Sequence, residues 1–407
     1  MSPPQKYTIP PEYQSQLTYH PCPDTRSDAE ILSTLSTYRP ITSEKNIWAY
    51  WHSGLHSMPP WCQRNVASWV RMHSSTNWTI RVLDSTPASP NYFLNYVSGD
   101  HLPDAFVGGT MDGPYVGPHS ADMLRGACLF AHGGVFMDVG IPIVRGVERV
   151  CWGVLESEGN GFEVAAPWVY GTHVGNHFVA ARKGSEFIRR WHKLFTHLWQ
   201  NHTNSTGLMQ HPLMTILSTL PPPSPTRPSK FQWDISQPAA KVDEYVTQVQ
   251  CWNRLCHLSS TPSDPFSGAD YWSTKVLLWD GLLETWGAET TLGFKGCGRK
   301  MYEYFSMKVD GDEMYKQSAK YKDAERVVWR LLAKSSMQKV FRGKALTVDK
   351  ELGELWDEDD QGRDCGVGTF GELFRWGCEN FWQTRDGVEV VGAPRPGVTF
   401  EKGLLEV

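Results

Sequence analysis

One stretch, residues 119–140, constrains this chain more than any other. Leu124, Ala127, Cys128 and Ala131 recur at i, i+3, i+4 and i+7, the spacing of one buried stripe on a helix that Ser120 can cap and that reaches Ala131. Gly133-Gly134 then stops the helix. Residues 135–139 alternate as a strand, with Phe136 and Asp138 on one side and Val135, Met137 and Val139 on the other. Asp122 and Arg125, three apart, share a second helical face. The pattern delivers one carboxylate at the C-terminal end of a strand, beside an acid and a guanidinium on the preceding helix, and in open α/β sheets ligands bind at that end of the strands. The same residues also have a purely structural use: Asp122 favours the helix dipole, Arg125 pairs with it, and Asp138 caps the next turn.

The α/β reading extends upstream. Residues 46–51 form a short apolar and aromatic strand, a turn with Gly54 and Pro59-Pro60 follows, a helical stretch runs through Val66, Trp69 and Val70, and residues 79–84 alternate as a second strand. That β-α-β opening starts a core expected over residues 46–290, preceded by an extended surface arm, residues 1–45, rich in Pro, Ser, Thr and Tyr. Gly108, Gly109, Gly113, Pro114, Gly117 and Pro118 make a loop before the helix. A Pro-rich insertion near residues 219–230 admits neither helix interior nor central strand. Residues 291–407 are expected as a helical extension packed on the core, helical over 316–346, with an acidic run at 349–364 read as a solvated loop.

Charge and composition exclude several classes. Lys and Arg number 39 against 44 Asp and Glu, so no basic stripe is available to release counterions from nucleic acid. No window approaches the ~20 apolar residues of a membrane helix, and the first twenty residues have Pro, Gln and Tyr where a signal peptide needs an apolar core. With nine cysteines, an odd count, the expectation is a cytoplasmic protein with reduced thiols and no membrane span.

Asp122-x-x-Arg125, followed after the helix by Gly133-Gly-Val-Phe136-Met-Asp138, resembles the capsular polysaccharide synthesis glycosyltransferases. It is also similar to their relatives with an Asp-x-Asp sugar-binding motif, including yeast-type mannosyltransferases and glucosylating bacterial toxins. Ile47-Trp48-Ala-Tyr50-Trp51 with Met58-Pro-Pro60, and Asn176-His177-Phe-Val-Ala-Ala-Arg-Lys-Gly184, resemble further stretches of that family, so the likeness spans roughly residues 45 to 200. It implies a GT-A like (Rossmann-like) mixed sheet flanked by helices, and retaining transfer of a hexose from a nucleotide sugar, with a UDP-sugar expected, to a hydroxyl of a small-molecule or glycan acceptor. By the same resemblance Trp48, Trp51 and Phe136 bind the nucleotide sugar, with Trp51 on the base. Asp122 and Arg125 hold sugar hydroxyls, Asp138 meets ribose and a metal, and Asn176 and His177 line the acceptor region. These types suit a ligand made of a flat base, a ribose diol, a sugar and a diphosphate.

The family motif is Asp-x-Asp, whereas this chain reads Asp138-Val-Gly140, so the expected Mn or Mg lacks its second acid. Three outcomes stay open: a metal on Asp138 with phosphate and distant ligands, a metal-free site with basic residues on the diphosphate, or a non-catalytic or repurposed fold that binds a nucleotide or metabolite, or catalyses non-glycosyl chemistry on a metabolite, without glycosyl transfer. For the second, the run Lys295-Gly-Cys-Gly-Arg299-Lys300 supplies candidate cations. Gly366-x-Gly-x-x-Gly371 follows an acidic run instead of a strand, which argues against a dinucleotide fingerprint, and Cys251 with Cys256-His257 lacks a second pair for zinc.

Overall fold

A computed structural model describes residues 4–169, 171–220, 235–343, 346–359 and 362–401. Most of the Pro-rich insertion, from Pro221 on, lies outside them. Ten strands occur among the described residues: β1 (Leu17–Tyr19), β2 (Asn46–Tyr50), β3 (Thr79–Leu83), β4 (Gly134–Met137), β5 (Val164–Val169), β6 (His173–Val174), β7 (Phe178–Ala181), β8 (Val276–Asp280), β9 (Phe381–Gln383) and β10 (Val390–Val391). The central mixed sheet has the order β10-β8-β5-β7-β4-β2-β3, with β6 attached to β5. Strands β3, β2, β4, β5 and β8 share one direction, while β7, β6 and β10 run against it. Strands β1 and β9 form a separate antiparallel pair.

Every residue of β2 and β4 is buried, as expected for central strands covered by helices on both faces. Their alternation divides the interior in two. Ile47, Ala49, Val135 and Met137 join one core with Trp69 and Val327, while Trp48, Tyr50 and Phe136 join the other with Leu124, Trp191 and Trp252. Pro60, which has no N–H to lose, opens the Pro60–Met72 helix that links β2 to β3. The next long helix, Val116–His132, begins four residues before Ser120. Gly117 and Pro118 fit its first turn, and the Ser120 hydroxyl donates to the Val116 carbonyl at 2.7 Å instead of capping. Gly134 is the position that admits no side chain: its φ is 102°, and a Cβ there would collide with the Asn46 carbonyl.

Three regional expectations change. The segment before residue 46 contains β1 and the helix Asp28–Leu35, closed by a Ser27–Glu30 capping box, and buries Leu17, Ile31, Leu32 and Leu35. Helix ends at Lys334 instead of continuing to 346, because Ser336 and Met337 give their N–H groups to the Glu284 carbonyl at 3.0 and 2.9 Å and run on extended. The acidic run is no solvated loop: it contains the helix Leu352–Glu358, and Asp364 is buried between Arg64 and Arg375, both at 2.5 Å. The C-terminal region shares the first core and adds β10 to the central sheet. No helix among the described residues is long and apolar enough to cross a membrane.

Glu289 carries a pH signature. Burial pushes its carboxyl up to about 7, against the pull of Arg342 and the Gln338 amide, which donates at 2.9 Å. Its folded-state value exceeds its unfolded one, so its contribution is present below the ordinary carboxylate range and is lost as pH rises through about 7. Glu289→Gln is therefore expected to melt with wild type near pH 4.5 and a few degrees above it at pH 8. Identical melting shifts at both pH values would contradict this.

Candidate functional site

The parallel strands end on one edge of the sheet, and the chemistry collects there. Beyond β2 stands Trp51, beyond β4 stands Asp138, and β7, running the other way, is entered through Asn176 and His177. The Asp138 N–H donates to the His177 carbonyl at 3.0 Å, which extends the β4–β7 ladder by one rung and fixes the aspartate's direction. The Val116–His132 helix crosses this edge with Asp122 and Arg125 on the turn facing it.

Arg125 is only 2% exposed. Its Nη1 donates to Asp122 and, at 2.8 Å, to Gln248 Oε1, while Nη2 donates to Asp138 Oδ1 at 2.9 Å. The guanidinium also lies 4.9 Å from the centre of the Phe136 ring. Asn176 donates to Asp122 Oδ1 and Gln248 Oε1, both at 3.0 Å, and the Gln248 amide donates to the Asp122 carbonyl at 2.5 Å. On the far side, Lys339 Nζ donates to Asp138 Oδ2 at 2.8 Å. One continuous chain thus runs Gln248, Asn176, Asp122, Arg125, Asp138, Lys339.

The two carboxylates sit in different fields. Burial raises Asp122 to about 6, with Arg125 pulling the other way. Burial also pushes Asp138 up, but Lys339 and then Arg125 more than offset it, and it is held at about 2. His177 is lowered well below the usual imidazole range, first by burial and then by Lys339, so its ring is neutral; its Nε2 has no hydrogen-bond partner among the described residues.

These groups line a cavity of about 440 Å³. Asp122, Arg125, Phe136, Asp138, Asn176, His177 and Trp51 all reach it. Trp48 does not: it lies inside β2, fully buried, with its indole N–H donated to the Gly133 carbonyl at 2.9 Å and the Arg81 guanidinium 5.4 Å from its ring centre. It is a core residue, not a base platform. The basic run at 295–300 is not in the wall either; Lys295, Arg299 and Lys300 are exposed at the start of the Cys297–Phe305 helix. The cavity's cations beside Arg125 are instead Lys339 and Arg342. Lys339 and Gln248 escaped the sequence reading because neither lies in a recognisable motif. Tyr115, Val174, Tyr245, Val249, Trp286 and Phe341 make much of the remaining wall apolar.

The donor set does not suit a divalent metal. Both Asp138 oxygens are engaged by cations, and Gly140 contributes no ligand. No cluster of three or more His, Cys, Asp or Glu ligands exists among the described residues. The three atoms nearest to a Cβ on Gly140 would be apolar, the first from Trp61 at 3.4 Å, then Phe341 at 3.8 Å.

Comparison with known proteins follows the same line. Residues 24–220 match the family model described as capsular polysaccharide synthesis protein. The chain is 47% identical to a probable glycosyltransferase, FCK3, of Fusarium pseudograminearum, over 98% of this chain and 100% of the relative. It is 36% identical to the O-glycosyltransferase braB of Annulohypoxylon truncatum, over 94% and 91% of the two chains. With the O-glycosyltransferase PaGT of Phomopsis amygdali the identity is 38%, over 89% and 88%. A solved structure, PaToxG Glycosyltransferase, aligns only remotely, with a TM-score of 0.27 and 13% identity over 55% of this chain and 93% of that one. Relatives aligned along nearly its whole length, together with the model matched over its first half, make this chain a member of the capsular polysaccharide synthesis family of glycosyltransferases.

Proposed function

We propose that this glycosyltransferase moves a hexose from a nucleotide sugar, a UDP-sugar first among the donors to test, to a hydroxyl of a small, largely apolar acceptor, with retention at the anomeric carbon. The observation that carries the reading is the hydrogen-bonded chain of Asp122, Arg125 and Asp138 lining one cavity at the carboxyl edge of the sheet. Two carboxylates and a guanidinium with fixed directions match the diol and hydroxyl pattern of a sugar nucleotide. Trp51 supplies the flat surface for the base, Asp122 and Arg125 hold the sugar, and Asn176 and His177 face the incoming acceptor. The largely apolar remainder of the wall supports an acceptor that carries rings or alkyl groups around its hydroxyl. The names of two relatives, both O-glycosyltransferases, support oxygen as the acceptor atom. Holding donor and acceptor in one cavity and stabilising the departing diphosphate supply most of the rate in such a reaction.

The test is a panel of UDP- and GDP-sugars with phenolic and alcoholic acceptors, followed by release of nucleoside diphosphate. One donor is expected to turn over; no release from any donor, with or without Mn or Mg, would overturn transfer and leave a nucleotide-binding relative. Within the working assay, Asp138→Asn is expected to lower kcat/KM by about 100-fold and, because it leaves Arg125 and Lys339 short of a counter-charge, to lower Tm as well. Arg125→Ala leaves the buried Asp122 without its cation and takes one of two from half-buried Asp138, at a cost of ~3–5 kcal/mol, and is expected to lose both activity and thermal stability. Trp51→Ala should weaken nucleotide binding by about tenfold, whereas Trp48→Phe should leave it unchanged and lower only the Tm. A nucleotide affinity that follows Trp48 instead of Trp51 would refute the placement of the base.

A further inference from the structure

We infer that Lys339 stands where a metal-dependent site would hold its divalent cation, so that its ammonium neutralises the leaving diphosphate and transfer proceeds without metal. This rests on the nucleotide-sugar reading above and adds the identity of the group that meets the phosphates.

Three independent features place the lysine there. Its Nζ sits 2.8 Å from Asp138 Oδ2, on the acid's side opposite Arg125, and its side chain is 13% exposed, toward the cavity. Its main chain is held on both sides: the Lys339 N–H donates to the Thr285 carbonyl at 2.9 Å, the Gln338 N–H to Pro142 at 3.0 Å, and the Gln338 amide to the Lys339 carbonyl at 2.9 Å. The segment therefore runs beside residues 140–143 and delivers the ammonium to the aspartate as a built part of the fold. Finally, the position of the second motif acid is a glycine in an apolar niche. The nearest atoms to a Cβ on Gly140 belong to Trp61 and Phe341, and the glycine itself offers no carboxylate to a cation.

Charge decides between lysine and metal. The carboxylates of Asp122 and Asp138 are matched by Arg125 and Lys339, so a divalent ion approaching Asp138 meets two cations already in place and must expel the lysine to find a ligand. A nucleoside diphosphate meets the opposite situation. An ammonium has three N–H donors, and one is engaged by Asp138, which leaves two for phosphate oxygens. In transfer, the bond between the anomeric carbon and the diphosphate oxygen breaks and the oxygen keeps the electron pair. The acceptor oxygen bonds to the anomeric carbon, and its proton passes to the departing diphosphate. Charge grows on that diphosphate as the bond breaks, and a fixed ammonium stabilises it there.

The experiment uses the full chain treated with EDTA. Calorimetric titration with UDP, GDP, UMP and GMP is paired with donor turnover in EDTA and in added Mn or Mg. Turnover in EDTA is expected within about twofold of the rate with metal, and Lys339→Ala is expected to lose about 10- to 100-fold in affinity for the preferred diphosphate while its monophosphate affinity stays within about twofold. A structural loss of Asp138's orientation would weaken both nucleotides alike, so equal losses overturn the assignment. Turnover abolished by EDTA and restored by Mn also overturns it, while leaving the glycosyl-transfer reading intact. Absence of nucleotide binding and of turnover in the wild type under every condition overturns both.

Discussion

A guanidinium withdrawn from water between two carboxylates is the constraint on which this site depends. Arg125 is almost fully buried, and a buried cation is costly unless its charge is matched; both Nη groups meet carboxylates, while Nε has no partner among the described residues. Its partners arrive from three directions: Asp122 from its own helix, Asp138 from the end of β4, and Gln248 from the helix Thr247–Cys256. Such a cluster forms only if helix and strand meet at one angle. The Gly133-Gly134 turn joins the two, and β4 begins so close to the Asn46 carbonyl that any side chain at Gly134 would force β4 away from β2. The phenyl ring of Phe136 lies beneath the guanidinium and closes its remaining face.

What the sequence made legible was the part that local spacing encodes. The i, i+3 relation of Asp122 and Arg125, the period of two through Phe136 and Asp138, and the β-α-β opening all follow from contacts within a turn or a strand, and the coordinates reproduce them. Trp48 shows the limit of that reasoning. Alternation puts it on the same side as Phe136, and the two are paired in register across β2 and β4, yet their side chains meet different neighbours. Phe136 reaches the cavity, while Trp48 is covered by Arg81 and Tyr96. Periodicity reports a face, not what neighbouring segments lay over it.

Charges with distant partners were the least legible. The acidic run at 349–364 reads as solvated because its eight carboxylates outnumber the two basic residues among them, but Asp364 is matched by Arg64, 300 positions upstream, and Asp357 accepts the Trp61 indole N–H at 2.8 Å. These ties draw the C-terminal helices over the Pro60–Met72 helix and press Trp61 against Trp356, with ring centres 5.5 Å apart. The niche beside Gly140 is made by that packing. A Cβ on Gly353 would stand 3.1 Å from both Phe341 and Trp61, so the wall facing the altered motif is closed as tightly from the C-terminal side. The missing second acid and the aromatic wall opposite it are therefore two sides of one packed contact.

Lys339 was invisible for a related reason. Helical periodicity continues past Lys334 in the sequence, and nothing local announces that the helix must stop there. The stop comes from Glu284, a fully buried carboxylate paired with Arg385 at 2.5 Å that also accepts the Ser336 hydroxyl at 2.7 Å, while its carbonyl takes the next two N–H groups of the chain. Captured this way, residues 336–340 leave the helical path and run extended beside residues 140–143, where Ile143 and Met337 form a bridge. A helix continued through Lys339 would lose the bonds of Ser336 and Met337 to Glu284. The position of the cation in the site is thus set by an ion pair elsewhere in the protein, joining β8's following turn to the strand-like tail near the C-terminus. A site described by its motif alone omits the segment that balances its charge.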